Sequence, residues 1–153
     1  MADEQLTLGR FLCFAIYSAN HAFNRVYKPL LDKLGLTYPQ YLVMVILWED
    51  DDQTVGRIGE RLYLESSTLT PLLKRLEAAG YLRRERDMSD ERQVRVRLTD
   101  SGRQLRGQAA VLPGCIIEAS GLGIEKLQQL QGDVSRLRDA LMTFGQDDEA
   151  SGK

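Results

Sequence analysis

The sequence predicts a mainly α-helical fold with one small β-hairpin, and three observations point there. Apolar stretches of helical period fill both ends of the chain. Two short helices joined by a tight turn occupy its middle. A strictly alternating segment follows that pair at once.

Leu6 to Leu34 reads as a helix of dense apolar residues and good helix formers, bent or divided by Pro29 and ended by Gly35. Thr37 starts the next helix. Gln40 three residues on completes a capping box, and Pro39 suits the first turn. That helix, TYPQYLVMVILWE, is apolar on most faces and is expected at the buried centre. The acidic run Glu49 to Asp52 reads as a solvated loop.

Thr54 can cap a short helix over about Val55 to Leu62. The turn Tyr63-Leu64-Glu65 leads to Ser66 and Ser67, both read as N-caps of STLTPLLKRLEAA, which Gly80 closes. This pair is a helix-turn-helix. Tyr81 to Arg86 is a strand candidate, and Val94, Val96 and Leu98 alternate with Arg95 and Arg97. DMSDER between them is a polar turn. A helix-turn-helix followed by a basic hairpin is a winged helix.

Thr99, Asp100 and Ser101 offer caps for a helix starting near Gly102, which Pro113 and Gly114 should interrupt. In the last helix, about Ile124 to Phe144, Leu127, Val134 and Leu141 are spaced by heptads, as are Leu130, Leu137 and Phe144. Such a seam packs either on its own domain or on a second copy, and the second copy is the preferred reading. The expected organisation is one winged-helix domain over about 1–145, with dimerising helices at about 6–34 and 102–144. The DNA-binding lobe lies at about 37–100, and a disordered tail covers 146–153.

No apolar run reaches the roughly 18 residues of a membrane span. The acidic N-terminus MADEQLTLGR lacks the order of a signal peptide, so the expectation is a cytoplasmic chain with no membrane partner. Two cysteines and one histidine are too few for a disulfide scaffold or a metal site, and no cofactor is expected. The net charge of −2 hides a division along the chain. Thr54 to Arg106 carries twelve Lys/Arg against eight Asp/Glu, and the rest carries eight against fourteen. A basic middle between acidic flanks suits a DNA-reading lobe on a neutral scaffold, although ordinary surface charge gives the same count.

In such a lobe the second helix enters the major groove with its N-terminal side chains. Here these are Ser66, Ser67, Thr68 and Thr70, with Pro71 for apolar contact and Lys74 and Arg75 one turn later for phosphates. At the hairpin tip Arg92 suits the narrow, negative minor groove, and Asp90 can hold its guanidinium.

The runs LCFAIYSAN, YKPLLDKLGLTYPQYLVMVILWE, IGERLYLESSTLTPLLKRLEAAG and SDERQVRVRLTDSG resemble the MarR family, and within it the organic-hydroperoxide-sensing branch. The match covers about Leu6 to Leu141. The resemblance implies a homodimeric, non-enzymatic repressor that binds a pseudo-palindromic double-stranded DNA operator. It leaves that operator when organic hydroperoxide oxidises a cysteine. Cys13 falls at the family's sensing cysteine, and Tyr27 and Tyr38 fall at the tyrosines that hydrogen-bond to its thiolate. The chemistry is coherent, because peroxide attack needs a thiolate and phenol donors stabilise that anion. Cys115 lies where some members carry a second cysteine that resolves the oxidised sensor by an intersubunit disulfide.

Other readings stay open on the residues alone. Cys13 can be an inert apolar-face thiol and Cys115 a bystander. The repressor can instead be released by a small phenolic or aromatic ligand. A thiol peroxidase and a nucleoid protein are the readings from other classes.

Overall fold

The computed structural model describes residues 6–144 and 146. The stretch expected to form a disordered tail, Gln146 apart, lies outside the described residues. The described chain forms two compact units, one reaching to Leu112 and one starting at Pro113. Among the described residues no single helix is long and apolar enough to cross a membrane.

The first unit opens with a 3-10 turn, Leu8–Arg10, and helix α1, Leu12–Asp32. Pro29 lies inside α1, which continues through it to Asp32. Gly35, at φ +68°, then takes the left-handed turn that a side chain would resist. Helix α2, Tyr38–Glu49, starts on the expected capping box. The Thr37 hydroxyl accepts from the Gln40 N–H, and the Gln40 side chain accepts from the Thr37 N–H. Val43, Met44 and Leu47 on α2 are fully buried in the core, which also takes in Ile58, Leu69, Leu73, Leu76, Val96 and Leu105 from later in the chain.

A two-residue strand, β1 (Gln53–Thr54), precedes α3 (Val55–Leu62), whose N-cap is Thr54 as expected. The turn into α4 (Ser66–Ala78) is tight: Tyr63 is left-handed, and a Cβ on Gly59 would stand 2.7 Å from the Leu64 carbonyl. The expectation that Ser66 and Ser67 cap α4 is corrected here. The N-cap is Glu65, whose carbonyl already accepts from Thr68 and Leu69, so both serines lie within the first turn. Because the left-handed Tyr63 reverses the chain early, the helix begins sooner than the serines suggested.

Leu69, Leu73 and Leu76 bury the inner face of α4. Strands β2 (Leu82–Arg86) and β3 (Val94–Leu98) form the antiparallel hairpin, paired from Leu82↔Leu98 to Arg86↔Val94. Strand β1 pairs with the other edge of β3, giving the order β1-β3-β2. The acidic stretch after α2 is not the solvated loop expected from its composition. Asp51 accepts from the Leu98 N–H, and Asp52 accepts from the Arg95 and Arg97 guanidinium groups, so the loop clasps β3.

Helix α5 (Asp100–Ala109) begins on the Thr99 cap. The second unit consists of the rest of α6 (Leu112–Ser120) and α7 (Ile124–Thr143). No residue of α7 is buried. Leu127 and Leu137 of the heptad seam are half-buried, and Leu130, Val134, Leu141 and Phe144 are exposed.

Candidate functional site

Of the candidate DNA-contacting residues named from sequence, Ser66, Thr70 and Arg92 line one concavity of the first unit. Ser66, Ser67, Thr68 and Pro71 are exposed at the start of α4, and Lys74 and Arg75 are exposed one turn later. Thr70 is half-buried and donates its hydroxyl to the Ser66 carbonyl at 2.7 Å, leaving the oxygen free to accept. A concavity of about 400 Å³ joins this helix to the hairpin, lined by Ser66, Thr70 and Leu73 of α4, by Arg84, Arg92 and Val94 of the hairpin, and by Thr54.

The basic residues of this lobe divide by what they touch. Arg84 is turned inward to Glu77, whose carboxyl is held below its ordinary value mainly by the Arg84 backbone N–H. Arg95 and Arg97 point at Asp52, whose carboxyl is held low first by Arg95 and then by Arg97. Arg92 stands apart: its side chain is 94% exposed at the hairpin tip. Asp90 accepts from the Arg92 N–H at 3.1 Å and lies 3.6 Å from its Nε, the holding contact the sequence suggested. Asp87 shapes the tip from beneath. Its buried carboxylate accepts from the Ser89 hydroxyl, the Ser89 and Asp90 N–H groups and Arg95, which holds it far below the usual carboxylate range.

The second constellation is aromatic. The Tyr27 and Tyr38 rings lie 4.8 Å apart, and Tyr41 completes a cluster at 5.9 and 6.4 Å from them. Burial, followed by the neighbouring phenols Tyr38 and Tyr41, pushes Tyr27 up to about 12. Burial raises Tyr38, and burial and then Tyr38 raise Tyr41. All three stay protonated at neutral pH and remain hydrogen-bond donors. Sequence reasoning missed Tyr41, whose own helix reads as plain core.

Cys13 is exposed in the first turn of α1, and Cys115 is half-buried in α6. Cys13 and Tyr27 share α1 and stand fourteen residues apart, a rise of about 21 Å at 1.5 Å per residue. One chain therefore does not bring its own Cys13 to its own Tyr27. Among the described residues no group of three or more His, Cys, Asp and Glu is placed to hold a metal ion.

The family model described as transcriptional regulator SarA/Rot matches residues 25–107. The HTH-type transcriptional regulator TtmR of Methylorubrum extorquens is 49% identical over 91% of this chain and 71% of its own length. The organic hydroperoxide resistance transcriptional regulator of Bacillus subtilis is 44% identical over 90% of this chain and 94% of its own. Among solved structures, reduced AbfR bound to DNA superposes with a TM-score of 0.72 at 37% identity, covering 93% of this chain and 99% of that one. AbfR in its disulfide form superposes at 0.63 with 40% identity, covering 90% and 96%. With a helix-turn-helix, a β2–β3 wing and relatives of this kind along nine-tenths of its length, the chain belongs to the transcriptional regulator SarA/Rot family of MarR-like winged-helix proteins, in the branch that includes the organic hydroperoxide resistance regulators.

Proposed function

We propose that the protein is a homodimeric repressor that binds a pseudo-palindromic double-stranded DNA operator and releases it when an organic hydroperoxide oxidises Cys13. The observation that carries this reading is the packed pair Tyr27 and Tyr38, two phenols kept protonated beside each other. Such a pair is a ready donor site for a thiolate. Because Cys13 is about 21 Å along α1 from Tyr27 of its own chain, the thiolate meets the tyrosines of the second copy. Dimerisation thus completes the sensor as well as pairing two half-sites on DNA. The apolar residues exposed on α1 (Leu12, Phe14, Ile16 and Phe23) and along α7 give a second copy surfaces to cover.

In the sensing step the Cys13 thiolate attacks the terminal peroxide oxygen. The O–O bond breaks, the alkoxide leaves and takes up a proton as alcohol, and Cys13 becomes a sulfenic acid. Attack by the Cys115 thiolate of the other copy then expels hydroxide, which takes a proton to become water, and forms a disulfide. The lobe that reads DNA spans about 37–100, and the helices at about 6–34 and 102–144 join the two copies. Ser66, Ser67, Thr68, Thr70 and Pro71 face the major groove, Lys74 and Arg75 face phosphates, and Arg92, steadied by Asp90, enters the minor groove. The protein acts in the cytoplasm as a regulator and turns over no substrate.

The test is DNA binding before and after cumene hydroperoxide, on wild type, Cys13→Ser and Cys115→Ser. Wild type should release DNA and run as a covalent dimer on non-reducing gels. Cys13→Ser should bind and ignore the oxidant. Cys115→Ser should give no dimer band and release incompletely or irreversibly. Release that persists in Cys13→Ser overturns the sensing mechanism.

A further inference from the structure

The DNA-reading lobe spends two of its arginines and three carboxylates on an internal chain of contacts, and that chain ends at the residue that reaches outward. Asp52, in the loop after α2, is a non-glycine residue at φ +61°, a left-handed conformation that Asp tolerates better than most. In that pose its carboxylate accepts from Arg95 Nε at 2.7 Å and Arg97 Nε at 3.0 Å, and its carbonyl accepts from Arg95 Nη2 at 3.0 Å. The other arm of Arg95 donates to Asp87 Oδ2 at 3.0 Å. The second oxygen of Asp87 gathers the Ser89 hydroxyl and the N–H groups of Ser89 and Asp90, and Asp90 in turn takes the Arg92 N–H. Each link is a charge-assisted hydrogen bond, stronger and more directional than a neutral one.

We infer that Asp52, Arg95 and Asp87 form a strut that sets the pose of the wing tip, so that Asp52 is a positioning residue for DNA recognition through Arg92. The inference rests on the reading of the lobe as a DNA reader. The β2–β3 ladder ends at Arg86↔Val94. Beyond it two backbone bonds close the turn, from the Asp87 N–H to the Gln93 carbonyl and from the Gln93 N–H to the Asp90 carbonyl. The Arg92 N–H is taken by the Asp90 carboxylate, so the strut adds side-chain ties at the tip to the backbone ones. The strut also makes an uncommon demand. Asp52 and Asp87 place negative charge on a surface that must approach phosphates, so on charge alone their removal would tighten DNA binding. Positioning predicts the opposite sign.

That sign makes the experiment decisive. A duplex selected by the wild-type protein from a random-sequence pool serves as probe, and affinity is read by fluorescence anisotropy for Asp52→Asn, Arg92→Ala and the double variant. Asn tolerates the left-handed backbone, so Asp52→Asn removes the charge and leaves the loop able to keep its path. The single Asp52→Asn change should weaken binding by about tenfold, the scale of one lost charge-assisted bond. In the Arg92→Ala background it should add less than about twofold, because both changes remove the same contact. Amide exchange should quicken at Ser89, Asp90 and Arg92 while Val43 to Leu47 keep their protection, which separates a freed tip from a loosened fold. Equal or tighter binding by Asp52→Asn, or full additivity with Arg92→Ala, overturns the strut alone. Failure of the wild type to select any duplex overturns the proposed function and the strut with it.

Discussion

Tyr27 and Tyr38 come from different helices, α1 and α2, and meet with ring centroids 4.8 Å apart. The contact buries two phenols against each other, and burial penalises the phenolate. Tyr27 therefore holds its proton up to about 12, above its ordinary value of 10.0. Between those two values the unfolded chain has lost the proton and the folded chain has kept it. Stability is fully present below pH 10.0 and falls as pH rises toward 12. Alkaline unfolding of Tyr27→Phe should show a shallower loss across this window than wild type. An unchanged alkaline limb, followed by circular dichroism, would remove Tyr27 from the linkage.

Arg92 and Arg84 both line the concavity between α4 and the wing, yet only Arg92 is wholly presented to solvent. Arg92→Ala should weaken operator binding by about 1–3 kcal/mol and reduce the salt slope by about 1. Arg84→Ala should leave that slope unchanged, because its guanidinium is held by Glu77. Titrations at several salt concentrations distinguish the two, and equal slopes for both variants would refute the division.

Gly102 sits where α5 starts against the strand entry. A Cβ there would stand 2.0 Å from the Tyr81 carbonyl and 3.1 Å from Leu98 Cδ2. Gly102→Ala should destabilise the fold by about 1–3 kcal/mol, since backbone has to yield. Gly107→Ala, in the same helix with open space around it, should stabilise by about 0.5–1 kcal/mol. Thermal melts of the pair check both signs, and a neutral Gly102→Ala would show that α5 has room to withdraw.

The α7 seam offers the test of assembly. Leu130→Glu with Leu137→Glu should give monomer and lose DNA binding, because a single half-site is a weak target. Sedimentation velocity reads the mass. A folded dimer from the double variant would show that the seam does not join copies.

Much of this was legible in the sequence, and the gaps have physical causes. Periodicity and capping chemistry are local, so α2 with its Thr37–Gln40 box, the Thr54 and Thr99 caps and the β2–β3 hairpin were readable from neighbours a few residues apart. Strand β1 is two residues long and has no period to detect. The acidic loop looked solvated because its partners, Arg95 and Arg97, lie more than forty residues away in sequence. Ser66 and Ser67 have cap chemistry, but Tyr63 turned the chain first. Tyr41 was invisible as a cluster member because its position on an apolar helix reads the same whether it packs on leucine or on tyrosine.

Trp48 is the only tryptophan in the chain. Its indole donates to the Gly102 carbonyl at 2.8 Å, and its ring lies 6.4 Å from that of Tyr41. The molecule therefore carries one built-in fluorophore, wired to the start of α5 on one side and to the phenol cluster on the other. Light absorbed by the tyrosines has a single acceptor to reach. Phenol ionisation, or any repacking of α2 against α5, should alter its emission. The events proposed around Tyr27 and Tyr38 can thus be followed in real time in the unlabelled native protein.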